Sequence, residues 1–174
     1  MKKIVSILFV LVLACQPTKK IEKEIISNNI GYQISDEGNK IPLYINSKSS
    51  IQVWENYIKA HNDKDTASIR KLNAIENFKV YAPTGELIEG TDEHISFLVK
   101  WFIENNPKWT TKYMIANEYT NEDGKLYQWI TSGHDLTLSV NKVEVKLNQV
   151  HDALIVDDKV QMFFVNERVK ATGE

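Results

Sequence analysis

The side chains best suited to proton transfer near neutral pH are four histidines, two of which lie in patterns that suggest chemistry. Tyr57 and His61 are four residues apart in "NYIKAHND", so a helix would place them one turn apart on the same face. Tyr57, His61 and His151 are therefore the candidate catalytic residues, acting as a His/Tyr pair. The alternative for His61 is an imidazole at the C-terminal end of the helix, partly solvated and interacting with the helix dipole.

Two polar residues interrupt an apolar strand pattern near the C-terminus. In "VEVKLNQVHDALIV", every second residue from Val143 to Ile155 is apolar except Gln149 and His151. Either these two side chains line a pocket, or a bulge switches which face of the strand is buried. Trp129, in the middle of another β-rich run, is the tryptophan expected in a pocket wall. The predicted ligand-binding residues are thus Tyr57, His61, Trp129, Gln149 and His151.

The other two histidines favour structural roles. The stretch "SGHDL" places His134 and Asp135 on opposite faces of a strand, so they cannot both point inward, and Gly133 is expected to mark a bulge. His94 follows Thr91 by three residues at a helix start, where Thr91 is the expected N-cap, so we interpret His94 as a helix-start residue.

Composition and motifs argue against several classes of function. Acidic residues outnumber basic ones, 23 to 21, and no basic block occurs, so nucleic acid is not an expected partner. The histidines form neither an HExxH nor an HxH arrangement, so no metal site and no cofactor are predicted. The sequence has no Gly-x-Ser-x-Gly motif that would carry a nucleophilic serine, and its only cysteine, Cys15, is the expected lipidation site.

The N-terminal stretch "MKKIVSILFVLVLACQPTKK" has the pattern of a secretory signal. Lys2 and Lys3 precede an apolar run, residues 4–14, that is too short to span a membrane. The ending "VLAC" resembles the lipobox of bacterial lipoproteins, in which Cys15 would become the acylated first residue, carrying chains such as palmitate. Gln16 favours the outer membrane of the cell envelope. The alternatives are an ordinary signal peptide with a chance cysteine, or a buried amphipathic start.

The rest of the chain divides into a polar segment and one domain. Residues 15–48 read as a lipidated tether, with a short hairpin expected around Glu37-Gly38-Asn39. Residues 49–170 begin with two helices, the second capped near Asp65, followed by a strand–turn–strand passage and a third helix. From Lys108 onward, long β-rich runs joined by short turns predict an antiparallel meander. This order predicts an α+β fold with helices packed on one face of a curved sheet.

The stretches "YIKAHNDKD", "FKVYAPTGELIEGTDEHISFL" and "HDALIVDDKVQMFFV" resemble, in this order, motifs of the nuclear transport factor 2-like superfamily. Its broader set includes ketosteroid isomerases, SnoaL-like polyketide cyclases and scytalone dehydratases. The resemblance implies a cone-shaped roll, in which three N-terminal helices pack on a strongly curved antiparallel sheet around a pocket. One such fold hosts many functions, so the resemblance by itself assigns none.

The resemblance to ketosteroid isomerases, whose catalytic set is a known example of tuned carboxyl groups, also implies site positions. The tyrosine of the set falls on Tyr57, and the carboxylate base falls on Ala82, which cannot accept a proton. The second acid falls at or beside His151-Asp152, where the register is uncertain by one residue. The isomerase set is therefore incomplete, and that reaction is not expected.

Three functions remain open at this point. The first is an envelope lipoprotein, held to the membrane by the lipid on Cys15, that binds a small apolar or amphipathic ligand without turning it over. The second is a SnoaL-like enzyme that uses His151 or His61 with Tyr57 for a dehydration, cyclisation or isomerisation. The third is a protein-interaction module that forms a homodimer through its exposed sheet face. An interaction module would lack an enclosed cavity, so the absence of one would exclude both pocket functions.

Overall fold

The computed structural model describes residues 28–35, 37–45 and 48–171. Within these ranges the helices are α1 (Lys48–Asp63), α2 (Thr66–Leu72) and α3 (Thr91–Asn105). The strands in the same ranges are β1 (Asn29–Ile34), β2 (Lys40–Ile45), β3 (Lys79–Tyr81), β4 (Leu87–Glu89), β5 (Lys108–Thr120), β6 (Leu126–Val140), β7 (Val143–Val156) and β8 (Lys159–Val169).

Local sequence signals account for the helix boundaries. The Asp65 side chain accepts a hydrogen bond from the Ser68 backbone N–H (3.0 Å) and caps α2, as predicted. The predicted cap of α3 is wrong, because the N-cap is Gly90, at a φ of 86° that glycine adopts without strain. Thr91 lies inside the first turn, and its hydroxyl donates to the Ala74 carbonyl oxygen (3.4 Å).

One sheet contains all eight strands, in the order β1-β2-β5-β6-β7-β8-β3-β4. The predicted meander is confirmed, because β5, β6, β7 and β8 pair consecutively and antiparallel. The expectation of a wholly antiparallel sheet is wrong, since β3 pairs with β8 in parallel, with Val80 opposite Phe163. A strand of three residues carries no sequence signal for a partner so far along the chain. The structure is therefore α+β, with three helices packed on a mixed sheet.

The predicted hairpin around Glu37-Gly38-Asn39 is confirmed and joins the sheet. The Gly38 N–H donates to the Ser35 carbonyl oxygen (2.9 Å), which closes the turn between β1 and β2. β2 then pairs with β5 through Tyr44 opposite Glu118 and the residue pair that follows. The sheet thus begins at Asn29, N-terminal to the predicted domain start at residue 49.

The helices cover one face of the sheet, here called the inner face, which on β6 carries Ile130, Ser132, His134 and Leu136. The indole N–H of Trp54, on α1, donates to the Ser132 hydroxyl (2.8 Å) across this interface. The opposite, outer face carries the alternate residues of each strand. The buried core lies between helices and inner face, and includes Trp54, Tyr57, Ile58, Leu98, Phe102, Ile130, Leu136, Ala153, Ile155 and Phe163.

The predicted signal peptide, the predicted lipidation site Cys15 and the first part of the predicted tether lie outside the described residues. Among the helices that the structure describes, none is long and apolar enough to cross a membrane.

Candidate functional site

A cavity of about 340 Å³ lies between the helices and the inner face of the sheet. Its volume is in the range of sites that hold small organic molecules. The residues that line it come from α1, α3, the β3–β4 hairpin and the inner face of β5 to β8. They include Trp54, Tyr57, Ile58, His61, Val80, Ala82, Glu86, Ile88, His94, Phe97, Leu98, Trp101, Trp109, Leu138, Gln149, His151, Phe163 and Glu167.

Strand β7 brings Gln149 and His151 into this cavity. The register between β6 and β7 is unbroken across the site, with His134 opposite Gln149 and Ser132 opposite His151. No bulge therefore switches the buried face here, and the alternation read from the sequence holds. Asp152, the neighbouring candidate for the second acid, faces outward and accepts a hydrogen bond from the Thr131 hydroxyl (2.6 Å).

Both ends of the Gln149 amide bond to neighbouring side chains. Its Oε1 accepts from the Trp109 indole N–H (2.8 Å) and from His151 Nε2–H (2.9 Å), and its Nε2 donates to Glu167 Oε2 (2.7 Å). His151 Nδ1 is buried and has no hydrogen-bond partner among the residues that the structure describes. Burial, with nearby His134 and His61, holds the pKa of His151 well below its usual range, so this ring is neutral at pH 7. These side chains form the polar end of one wall.

Helix α1 contributes Tyr57 and His61, one turn apart as predicted. Burial raises the pKa of Tyr57 well above its usual value, and its hydroxyl donates to Asn73 Oδ1 (2.7 Å). His61 is buried against Tyr57 and is not the partly solvated helix-end group considered above. Its Nδ1–H donates to the Tyr57 carbonyl oxygen (2.9 Å), and burial lowers its pKa to about 4. His61 is thus a neutral base at pH 7.

His94 is a cavity residue that the sequence reading missed. It lies on α3 in a buried stripe with Leu98 and Phe102, a spacing of four residues that could have indicated an inward position. Its Nδ1 accepts a hydrogen bond from Asn73 Nδ2 (3.3 Å), and burial holds its pKa well below the usual range. Since Asn73 also accepts from Tyr57, one amide connects α1 to α3 through the end of α2.

The predicted place of Trp129 in the pocket wall is wrong. Trp129 lies on the outer face, where its ring stacks on Phe164 at a centroid distance of 6.3 Å, and it does not line the cavity. The physical reason is the two-residue period of the strand: Ile130 and Ser132 face inward, so Trp129 faces outward.

His134 and Asp135 lie on opposite faces, as expected. The His134 ring is buried 4.6 Å from that of His151 but does not line the cavity, whereas Asp135 forms salt bridges with Lys112 and Lys170. The expected bulge lies opposite Gly133 rather than at it, because the register shifts in β5 between Thr111 and Tyr113. A Cβ on Gly133 would lie 2.2 Å from the ring of Tyr113, which explains the glycine.

Carboxylates reach the cavity only at its rim, among the described residues that line it. Glu86 and Glu167 are both exposed, and Ala82 lines the cavity at the position where the isomerase resemblance implied a base. No group of three or more potential metal ligands occurs among the described residues. The interior can therefore offer neutral hydrogen-bonding groups and aromatic surface to a bound molecule.

Solved structures with the same fold include proteins of diverse description. A ketosteroid isomerase-like protein from Erwinia carotovora has a TM-score of 0.58 and 11% identity, covering 72% of this chain and 100% of its own. An LEH-like epoxide hydrolase from M. tuberculosis has a TM-score of 0.58 and 10% identity, with coverages of 70% and 84%. An NTF2-like protein of unknown function from Burkholderia pseudomallei has a TM-score of 0.53 and 16% identity, with coverages of 71% and 92%.

No family model matches this sequence, and no curated protein is similar to it in sequence. The structural likenesses show that the chain has the nuclear transport factor 2-like fold shared by SnoaL-like and ketosteroid isomerase-like proteins. At such low identities they carry no activity to this chain.

Proposed function

We propose that this protein, which has the nuclear transport factor 2-like fold, binds a small apolar or amphipathic molecule without turning it over. The observation that carries the proposal is the cavity of about 340 Å³, whose walls are largely apolar and include several aromatic rings. Trp54, Trp101, Trp109 and Phe163 all contribute to these walls. Apolar ligand surface gains roughly 25 cal/mol per Å² on leaving water, and aromatic rings supply much of that contact.

The distribution of polar groups favours an amphipathic ligand whose polar end can lie at the rim. Glu86 and Glu167 are exposed there, while the deeper groups Tyr57 and Gln149 already bond to protein partners. A ligand would therefore bury its apolar part among the rings and keep charged atoms near water, whereas an uncharged polar atom can be buried where a side chain offers it a hydrogen bond. In this proposal the cavity is the pocket at the open end of a cone-shaped roll.

Two features argue against turnover of the isomerase type. Ala82 offers no base at the position where such enzymes carry a carboxylate, and the Tyr57 hydroxyl already donates its proton to Asn73 Oδ1. The remaining candidate acid, His151, donates its one N–H to Gln149, and its buried Nδ1 is closed off from the cavity. Ligand binding needs none of these groups to move a proton.

The proposal places this domain in the bacterial cell envelope. Acylation of Cys15 would anchor the chain to a membrane, with the outer membrane favoured by Gln16. A lipid surface is a source of amphipathic molecules, so an anchored binding domain would lie close to the membrane that contains its ligand. A Cys15→Ser variant that still fractionates with membranes would contradict the anchor.

Native mass spectrometry of the gently purified full chain tests the binding function. We expect an adduct of a few hundred daltons that disappears on denaturation. Ala82→Trp, which places a large ring in the cavity, should abolish the adduct, whereas Thr137→Trp on the outer face should keep it. A spectrum without adduct, or an adduct that Ala82→Trp retains, would contradict binding in this cavity.

A second candidate function is acid–base catalysis at His61. The observation in its favour is the neutral His61 ring, whose Nδ1–H bonds to a backbone carbonyl and leaves Nε2 as a base. With turnover, His61→Gln should co-purify with the substrate and the unaltered protein with the product. The two molecules would differ in mass after a dehydration, and in fragmentation pattern or chromatographic retention after a cyclisation or isomerisation. A co-purified molecule that is identical by mass, fragmentation and retention would exclude the catalytic function.

The predicted homodimer through the outer face of the sheet stays a prediction. That face carries Tyr113 and Ile115, which are 46% and 57% exposed. The charge-state series of the same native spectrum gives the oligomeric state directly.

A further inference from the structure

His61 carries a hydrogen-bond acceptor that the protein does not use. A carbonyl oxygen only accepts hydrogen bonds, so the contact between His61 Nδ1 and the Tyr57 carbonyl oxygen requires the proton to be on Nδ1. The neutral ring then has a lone pair on Nε2. This nitrogen makes no hydrogen bond to any described residue, although the ring is 94% buried and lines the cavity.

His94 carries the complementary group, an unused donor. The Tyr57 hydroxyl donates to Asn73 Oδ1, so the other end of this amide, Nδ2, faces His94 Nδ1 (3.3 Å). An amide NH₂ only donates, so His94 Nδ1 must be the acceptor and the proton of the neutral ring must be on Nε2. His94 Nε2–H has no partner among the described residues, and this ring also lines the cavity.

The two unused nitrogens belong to rings that face each other. The centroids of His61 and His94 are 5.9 Å apart, with an interplanar angle of 37°. One oxygen atom can bond to both nitrogens when each contact is about 2.8 Å. The other deep polar groups of the cavity, on Tyr57, Gln149 and His151, are engaged with protein partners or enclosed. This histidine pair therefore offers a deeply bound ligand an unused acceptor close to an unused donor.

We propose that His61 and His94 form a recognition site for a single uncharged hydroxyl group on an otherwise apolar ligand. The hydroxyl would donate to His61 Nε2 and accept from His94 Nε2–H. This inference rests on the proposed binding function and deepens it, because it names the ligand class: apolar alcohols or phenols.

Other polar groups fit this pair less well. A carboxylate or a ketone only accepts, and would leave the lone pair of His61 unpaired or facing another lone pair. An ammonium group only donates, and would meet the N–H of His94. Charged groups also lose hydration in a buried aromatic site with no opposite charge beside them. A hydroxyl alone among these satisfies both nitrogens with one atom.

Three probes on one rigid skeleton test the pairing: borneol, camphor and bornane, which carry a hydroxyl, a ketone and neither group. Each is titrated into the full chain carrying Cys15→Ser, and the cavity tryptophans Trp54, Trp101 and Trp109 report binding by fluorescence. We expect borneol to bind at least about tenfold more tightly than the other two, because each of these leaves buried polar atoms unpaired. Equal affinities for borneol and bornane would overturn the hydroxyl pairing and leave the binding function standing. Failure of all three to bind would contradict both.

Two ring-retaining variants locate the selectivity. His61→Phe removes the acceptor and His94→Phe removes the donor, and each should reduce the preference for borneol over bornane to less than about threefold. His134→Phe is the matched control, since His134 is equally buried but does not line the cavity. We expect it to retain the full preference. Retention of the preference in the His61 and His94 variants would overturn the proposal.

Imidazole ¹⁵N NMR of the unaltered protein gives an independent test, because it needs no variant that could misfold. At pH 7 we expect opposite tautomers, with the proton on Nδ1 of His61 and on Nε2 of His94. Bound borneol should shift the Nε2 resonances of both rings, and bornane should shift neither. The same tautomer in both rings would overturn the donor–acceptor pairing.

Discussion

On the inner face of the sheet, the polar side chains of Ser132, His134, Gln149 and His151 bond mostly to other buried side chains, whereas on the outer face Asp135 and Asn148 belong to a network of charged groups that reach solvent. Gln149 joins Trp109 and His151 inside the fold, while its sequence neighbour Asn148 donates to Asp135 outside (2.7 Å). Asp135 in turn pairs with two lysines. When one member of the inner network is lost, its buried partners are left without a hydrogen bond to protein or water, so substitutions there should cost more stability than those outside.

Acidification should produce the largest difference between the two faces. Burial lowers the pKa values of His61 and His134 to about 4, so these rings stay neutral in the folded state while the unfolded chain takes up protons below its pKa of 6.5. Stability is therefore unaffected above pH 6.5 and falls as the pH decreases. By about pH 4.5 these two rings should cost roughly 5 kcal/mol together, and His94 and His151 should add to that.

The outer face responds in a lower pH window. Hydrogen bonds from Lys112 and Lys170 lower the pKa of Asp135 below 3.8, so its contribution is lost only as the pH falls below that value. Urea denaturation between pH 7 and pH 4.5 measures the histidine window alone. His134→Phe should reduce the loss by about 2–3 kcal/mol, and a stability that is flat across this range would contradict neutral buried histidines.

The second comparison concerns two tryptophans on opposite sides of the sheet. Trp54→Phe loses the hydrogen bond to Ser132 and leaves a gap in the core, and should destabilise the fold by about 3 kcal/mol. Trp129→Phe removes an indole N–H that is buried without a partner, so it should be nearly neutral or stabilising. Chemical denaturation of both variants measures the difference, and equal losses would contradict it.

A third comparison uses neighbouring amides on β7. Gln149→Leu leaves the indole N–H of Trp109 and the Nε2–H of His151 unpaired in the interior, and should cost about 2–3 kcal/mol. Asn148→Ala should cost about 1 kcal/mol or less, because Asp135 keeps its lysine partners. Urea midpoints of the two variants give the ranking. A larger loss from Asn148→Ala would break the comparison between the faces.

The smallest expected effect is at Gly133 on the outer face. An added Cβ would collide with the Tyr113 ring, which is half exposed and can swing aside. We expect Gly133→Ala to destabilise the protein by about 1 kcal/mol, as measured by thermal unfolding. The double variant Gly133→Ala/Tyr113→Ala should show less than the sum of the two single losses. Strict additivity would show that the contact is not the cause.

Sequence periodicity was sufficient where the structure depends on local backbone geometry. The alternation in β7 predicts that Gln149 and His151 lie on the same face of the strand, and both line the cavity. The spacing of Tyr57 and His61 predicts that they lie on the same face of the helix, and both line the cavity as well. The same reasoning failed for Trp129, because a two-residue period does not say which of its two faces the helices cover. That choice depends on packing between elements.

The sequence by itself determined the order of helices and strands, the hairpin at Gly38 and the placement of Gln149 and His151 on one face of β7. Each follows from the conformational preferences of a few adjacent residues. Only the tertiary structure decided that β3 pairs in parallel with β8, and that Asn73 hydrogen-bonds to both Tyr57 and His94. These contacts join residues distant in the chain, and their partners are selected by the packing of the whole core rather than by any local signal.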